Sequence, residues 1–164
     1  LNMDASVAWE KEATVDSNED TTNKCIKLAF PANLSKVHFI KMVLTENGKV
    51  VSDNFYHRSL EENNYQDLRQ LAKVALQSMT TVDKNADGTW SAVSVIENKT
   101  STPALMIRLN VVGSKDGQQL LPVFYSDNYF SLLPGEKKEV RMSWKDEDTR
   151  GNEGKVLITG YNVE

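Results

Sequence analysis

The feature that most constrains this chain is a period-two alternation of apolar and polar residues, broken every eight to twelve residues or so by turn-forming pairs. "VHFIKMVLT" (residues 37–45) is apolar on nearly both sides, as a strand in the middle of a sandwich would be. Asn47-Gly48 follows, a hairpin signal because both residues tolerate positive φ. Val50 to Tyr56 then reads as the returning strand. The pattern recurs over Cys25 to Phe30, Val74 to Val82, Thr89 to Ile96, Ala104 to Val112, Leu120 to Tyr125, Lys138 to Trp144 and Lys155 to Asn162. Asp87-Gly88, Asp116-Gly117 and Pro134-Gly135 supply turns. Only "NYQDLRQL" breaks the period: Asn64 can cap a helical turn, and a short linker helix is expected over 64–72. Many short strands set apart by turns specify an all-β sandwich.

The 164 residues suffice for one medium domain or two small ones. Two are favoured, because "SDN" followed by two aromatics occurs twice, with Asp53 and Asp127 separated by 127 − 53 = 74 residues. The expected division is a first sandwich over 1–60 that lacks its opening strands, a linker over 61–72 with a short helix, and a second sandwich over 73–164. Leu1 stands where an initiating Met would be, which points to a chain cut from a longer one.

Charge and composition exclude several functions. A net charge of −4 argues against a nucleic-acid binder, which needs a basic face to displace counterions. No run approaches the ~18 apolar residues of a membrane span. Cys25 is the one cysteine, so no internal disulfide is available, and its alternating neighbours predict a small buried side chain. His38 and His57 have no metal-ligand spacing. Asp83, Asn85 and Asp87 resemble the first half of a calcium loop, but the twelfth position, which must offer a bidentate carboxylate, is Ser94. A hairpin loop is the expectation, with no metal and no cofactor. Asn33-Leu-Ser35 and Asn98-Lys-Thr100 are glycosylation sequons of a kind that arises by chance, and they predict no function.

Asp127 and Asn128 draw attention as a polar pair inside an aromatic run. Acid–base hydrolysis wants two carboxylates across a cleft, and an Asp-Asn pair does not supply them. Asx-type bonding to nearby backbone at a strand corner is the expected role. Trp9, Trp90 and Trp144 could stack on sugar rings, with Trp90 and Trp144 the best placed, although indoles in strand patterns more often pack in a core.

"NKTSTPALMIRL" (98–109), "LPVFYSDNYFSLLPGE" (121–136) and "ITGYNV" (158–163) together resemble the C-terminal immunoglobulin-like domain of glycoside hydrolase family 2 enzymes of the β-mannosidase and exo-β-D-glucosaminidase type. "VHFIKMVLTENGKVVSDNFYHRS" (37–59) is similar to the end of the preceding immunoglobulin-like domain, and "NYQDLRQL" (64–71) to the junction between them. The resemblance implies tandem immunoglobulin-like β-sandwiches. Asp127, Asn128, Tyr129, Phe130, Pro134, Gly135 and Glu136 would be a structural signature. The implied partner is a catalytic barrel in the same parent chain, and the implied location is periplasmic or extracellular. The family's paired glutamates lie in a (β/α)₈ barrel, whose alternating units these residues do not contain. The function implied is therefore non-catalytic support of a glycoside hydrolase. The competing expectation is an autonomous glycan-binding or adhesive module, with carbohydrate as partner.

Overall fold

The computed structural model describes residues 1–164 and contains two compact units, Leu1–Arg69 and Gln70–Glu164. In the first, β1 (Val37–Glu46) and β2 (Lys49–Ser59) form one antiparallel hairpin. Asn47 (φ 50°) and Gly48 (φ 75°) make its turn, both in the left-handed conformation that matches strand twist. The register shifts by one residue between Leu44 and Thr45, a bulge next to the turn. Val37, His38 and Phe39 are buried at the base of the hairpin, whereas its tip is exposed. Around the base, Phe39, Phe55 and His57 form a triangle of rings with centroids 5.2 to 5.6 Å apart. The expected strand over Cys25 to Phe30 is not formed: the segment has no strand partner, and Cys25 is exposed rather than buried. Alternation specifies a strand's faces, but a ladder also needs an adjacent edge.

The expected helix over 64–72 is a single 3-10 turn, Gln66–Gln70, which buries Leu68. Asn64 does cap it, through a bond from the Gln66 N–H to its Oδ1.

The second unit is a sandwich of two sheets. β3 (Gln77–Lys84), β4 (Thr89–Glu97), β8 (Lys137–Lys145) and β6 (Phe124–Tyr125) pair in the order β3-β4-β8-β6. Facing them, β7 (Phe130–Leu132), β5 (Ala104–Gly113) and β9 (Gly154–Thr159) pair in the order β7-β5-β9. Every pairing among these strands is antiparallel. Alternation sends Ala92 and Ile96 of β4 and Val140, Met142 and Trp144 of β8 inward, against Ile107, Leu109 and Val111 of β5. Four strands against three is the immunoglobulin-like arrangement. Two boundaries differ from expectation. Val74 is not in β3 but in an isolated parallel bridge with Val163. The run Leu120 to Tyr125 is reduced to the two residues of β6.

Candidate functional site

The segment Ser126–Asn128 is the place where the chain leaves one sheet for the other. β6 belongs to the four-stranded sheet and β7 to the three-stranded one. Ser126 still pairs with β8: its N–H donates to the Arg141 carbonyl (2.9 Å), and its Oγ accepts from the Arg141 N–H (2.9 Å). Two residues on, Asn128 is already attached to β5. Its Oδ1 accepts from the Leu109 N–H (2.9 Å) and its Nδ2 donates to the Leu109 carbonyl (3.0 Å). Continuing the pair Ile107↔Phe130 by two residues along each strand brings Leu109 opposite Asn128. The side-chain amide of Asn128 thus stands in for a backbone peptide in the ladder. An amide carries one acceptor and one donor in the geometry a strand requires, and a strand that switches sheets must break its own ladder.

Asp127 secures the turn itself. Its Oδ1 accepts from the Asn128 N–H (2.7 Å), and its Oδ2 is paired with the Lys138 ammonium, which also lies 5.0 Å from the Phe130 ring centroid. Tyr129 takes φ 60° and points outward, with the Arg108 guanidinium 5.9 Å from its ring centroid. Phe130, by contrast, packs against the core. Just before the corner, the Tyr125 hydroxyl accepts from the Val111 N–H (3.2 Å), and burial raises its pKa.

Pro134, Gly135 and Glu136 form the next turn. Gly135 (φ 80°) donates to the Asn98 carbonyl (2.7 Å), and the Glu136 carboxylate accepts from the Leu133 N–H (2.9 Å). Asn98 is fully buried and makes bonds with all its groups: its Nδ2 reaches the carbonyls of Thr102 (2.8 Å) and Leu132 (3.0 Å), and its Oδ1 accepts from the N–H and hydroxyl of Thr100. Its sequon is consumed by the fold. Asn162 plays the same part at the C-terminal end, bonding Leu105 N–H and the carbonyls of Ala72 and Pro103. Sequence reasoning missed both as organisers. The available signal was an Asn flanking each end of the strand-rich core, but sequence does not say which Asn is buried.

The repeat does not have two equivalent structures. Ser52, Asp53 and Asn54 lie in an unbroken ladder opposite Leu44, Val43 and Met42. Only the second copy is a corner.

Of the two tryptophans singled out as possible sugar contacts, Trp144 lies in the core and Trp90 is half-buried beside it. Trp144 is only 2% exposed, so it offers no face to a ligand. Trp90 is half-buried and stacks on Trp144 with centroids 6.3 Å apart and planes 4° from parallel. On its other flank, across the β3–β4 ladder, the Lys84 ammonium sits 5.3 Å from its centroid. Its Nε1–H donates to Asp146 (2.7 Å), which also pairs with Lys84 (2.8 Å). Those bonds, Lys84 foremost, lower the pKa of Asp146. Trp144 and the Lys84 ammonium thus flank the Trp90 ring on either side. In the 83–88 loop, Asp87 accepts from the N–H and hydroxyl of Thr89, and Asn85 donates to the same hydroxyl. Ser94, at the twelfth position, is buried against Thr80 (2.7 Å). The loop is a hairpin connection.

Comparison with known proteins agrees with this geometry. The exo-beta-D-glucosaminidase Ig-fold domain family matches residues 54–163. An exo-beta-D-glucosaminidase of Arthroderma benhamiae is 27% identical over 182 residues, covering 100% of this chain and 20% of the relative. One from Streptomyces avermitilis is 29% identical over 187 residues, covering 99% and 21%. The crystal structure of the Amycolatopsis orientalis exo-chitosanase superimposes with a TM-score of 0.73 at 29% identity, over 83% of this chain and 19% of that one. The chain therefore spans about a fifth of the length of the curated relatives it matches. With a family match over most of its length and a sandwich of the same class, this chain belongs to the exo-beta-D-glucosaminidase Ig-fold domain family of glycoside hydrolase family 2.

Proposed function

We propose that this chain is a non-catalytic immunoglobulin-like region of an exo-β-D-glucosaminidase and braces a catalytic domain carried by the same parent polypeptide. The observation that carries this reading is the corner at Asp127 and Asn128. Its most conspicuous polar groups are committed to Lys138, Leu109 and their own turn, so they are building elements rather than a reacting pair. The hairpin unit fits the end of a preceding immunoglobulin-like domain. Met42, Val43, Leu44, Val50 and Val51 stand 50 to 63% exposed, a sheet surface that a sandwich partner would cover.

The test uses an aryl β-D-glucosaminide. The purified chain gives no turnover above buffer, and removing this region from the full-length parent costs it folded, active enzyme. A rate that stays with the chain through repurification would sink the proposal, as would a parent that keeps full activity and melting temperature without the region.

A further inference from the structure

The two sheets of the sandwich turn different faces outward. On β8, alternation sends Lys137, Glu139, Arg141 and Lys145 to solvent, with Arg141 paired to Glu139 (2.6 Å). The most exposed apolar side chains of that sheet, Met79 and Phe124, sit apart on its two edge strands, β3 and β6. Such a face suits water.

The outer face of β7-β5-β9 is of another kind. Register places Arg108 beside Thr159 and Asn110 beside Leu157, on the side opposite Leu109 and Ile158, which pack in the core. Tyr129, one residue before the core-facing Phe130, joins this face from β7. Tyr161 extends it beyond β9, its N–H donating to the Leu105 carbonyl (2.9 Å). Met106 stands out from an irregularity in β5, at φ 50°, between the buried Leu105 and Ile107. Tyr129, Tyr161, Met106 and Leu157 are 64, 41, 40 and 38% exposed. The chain has 23 Asp and Glu, yet β5, β7 and β9 contain none. Arg108 pairs with no carboxylate, and its guanidinium keeps only the Tyr129 ring, 5.9 Å from the centroid. Tyr, Met and Arg are enriched at the cores of protein interfaces, where Asp, Glu and Lys are depleted.

We propose that the outer face of β7-β5-β9 is where the parent's catalytic domain docks, and that the docked surface brings an apolar patch and a carboxylate for Arg108. This docking presupposes the longer hydrolase proposed above and adds which face meets it. The chain covers only about a fifth of its curated relatives, and a domain tethered on the same polypeptide arrives at high effective concentration. An unpaired guanidinium among apolar groups calls for an acidic partner, because a charge-assisted pair forms there at full strength. A second copy does not provide one: an isologous contact would set Arg108 and the exposed Lys155 against the same cations. Oligomers of an amino sugar, cationic when protonated, meet the same repulsion.

Thiol labelling read by peptide mass mapping tests this on the full-length parent and on the 164-residue chain, each with Cys25→Ser. Leu157→Cys should react about tenfold more slowly in the parent than in the free chain, as a group at an interface core does. Met79→Cys, on the other sheet, should react alike in both. Arg108→Glu should undo the protection at position 157, while the free chain keeps its circular dichroism. A photoreactive p-benzoylphenylalanine in place of Tyr161 should cross-link to peptides of the catalytic domain. Equal labelling of Leu157→Cys in the two proteins would overturn the proposal, even where deleting the region disables the parent, since the bracing would then use another surface. Cross-links confined to the preceding immunoglobulin-like domain or to a second copy would also overturn it. A parent that keeps its activity and melting temperature without the region would instead sink the bracing role itself.

Discussion

At the scale of single residues, Asp127 and Asn128 look alike in sequence and differ in consequence. Asn128 replaces a peptide group in the ladder with β5, through both its acceptor and its donor. Asn128→Ala leaves the N–H and C=O of Leu109 without partners and should cost about 2 kcal/mol. Asn128→Asp should be nearly as damaging, because it keeps the acceptor but sets a carboxylate against a carbonyl. Asp127→Asn removes an ion pair whose side chains are 23 and 42% exposed, worth at most about 1 kcal/mol. Urea titration of the three variants gives the ranking, and equal losses would contradict the ladder role. At Asn98, wholly buried and bonded at both side-chain atoms, Asn98→Ala should cost more, about 3 kcal/mol, and a secreted form should carry no glycan there. Mass spectrometry settles the second point. Sequence made the corner conspicuous because Asp and Asn inside an aromatic run are unusual. It did not make Asn98 conspicuous, since a buried Asn and a surface Asn are the same letter.

Among elements, the β1–β2 hairpin and the start of β9 respond to different perturbations. β1–β2 is held at its base by the Phe39–Phe55–His57 rings, and the Nε2 of His57 is buried without a partner. Burial pushes the His57 pKa below its ordinary 6.5. The unfolded chain then takes up a proton at a pH where the folded chain does not. The neutral imidazole's contribution is complete above about pH 6.5 and is lost as pH falls through the lowered folded value. Hydrogen exchange of the β1 and β2 amides should therefore quicken between pH 7 and 5, after correction for intrinsic rates, and His57→Phe should remove the change. In the sandwich, a Cβ at Gly154 would overlap the Trp144 ring and crowd Val111, so β9 must carry glycine where it starts. Gly154→Ala should cost about 1–3 kcal/mol by overpacking, read as a lower urea midpoint. The glycine was legible in sequence only as the start of a strand. Its packing against an indole from β8 depends on how the facing sheets are placed.

On the scale of the whole molecule, the two units differ in how complete they are. All the residues of the principal apolar core lie in Gln70–Glu164. Residues 70–164 expressed alone should fold with a cooperative melt and an ordered near-ultraviolet spectrum. Residues 1–69 alone should not, because a lone two-stranded hairpin with an exposed apolar tip is marginal in water. A cooperative transition in the shorter piece would show that the hairpin needs no further cover.

Period-two alternation and turn pairs determined the class of fold, the positions of most strands and the hairpin at Asn47-Gly48. Those properties are local: they follow from side-chain direction along a strand and from which residues accept positive φ. Tertiary structure decided the rest, because each remaining question concerned a neighbour far along the chain. Cys25 to Phe30 has a strand's alternation and no adjacent edge, so it stays unpaired. Trp144 and Trp90 have the same indole, and only tertiary packing buries the first and leaves the second half-buried beneath Lys84. Ser-Asp-Asn occurs twice, but only at 126–128 does a second sheet lie within reach, and there the side-chain amide becomes part of a ladder.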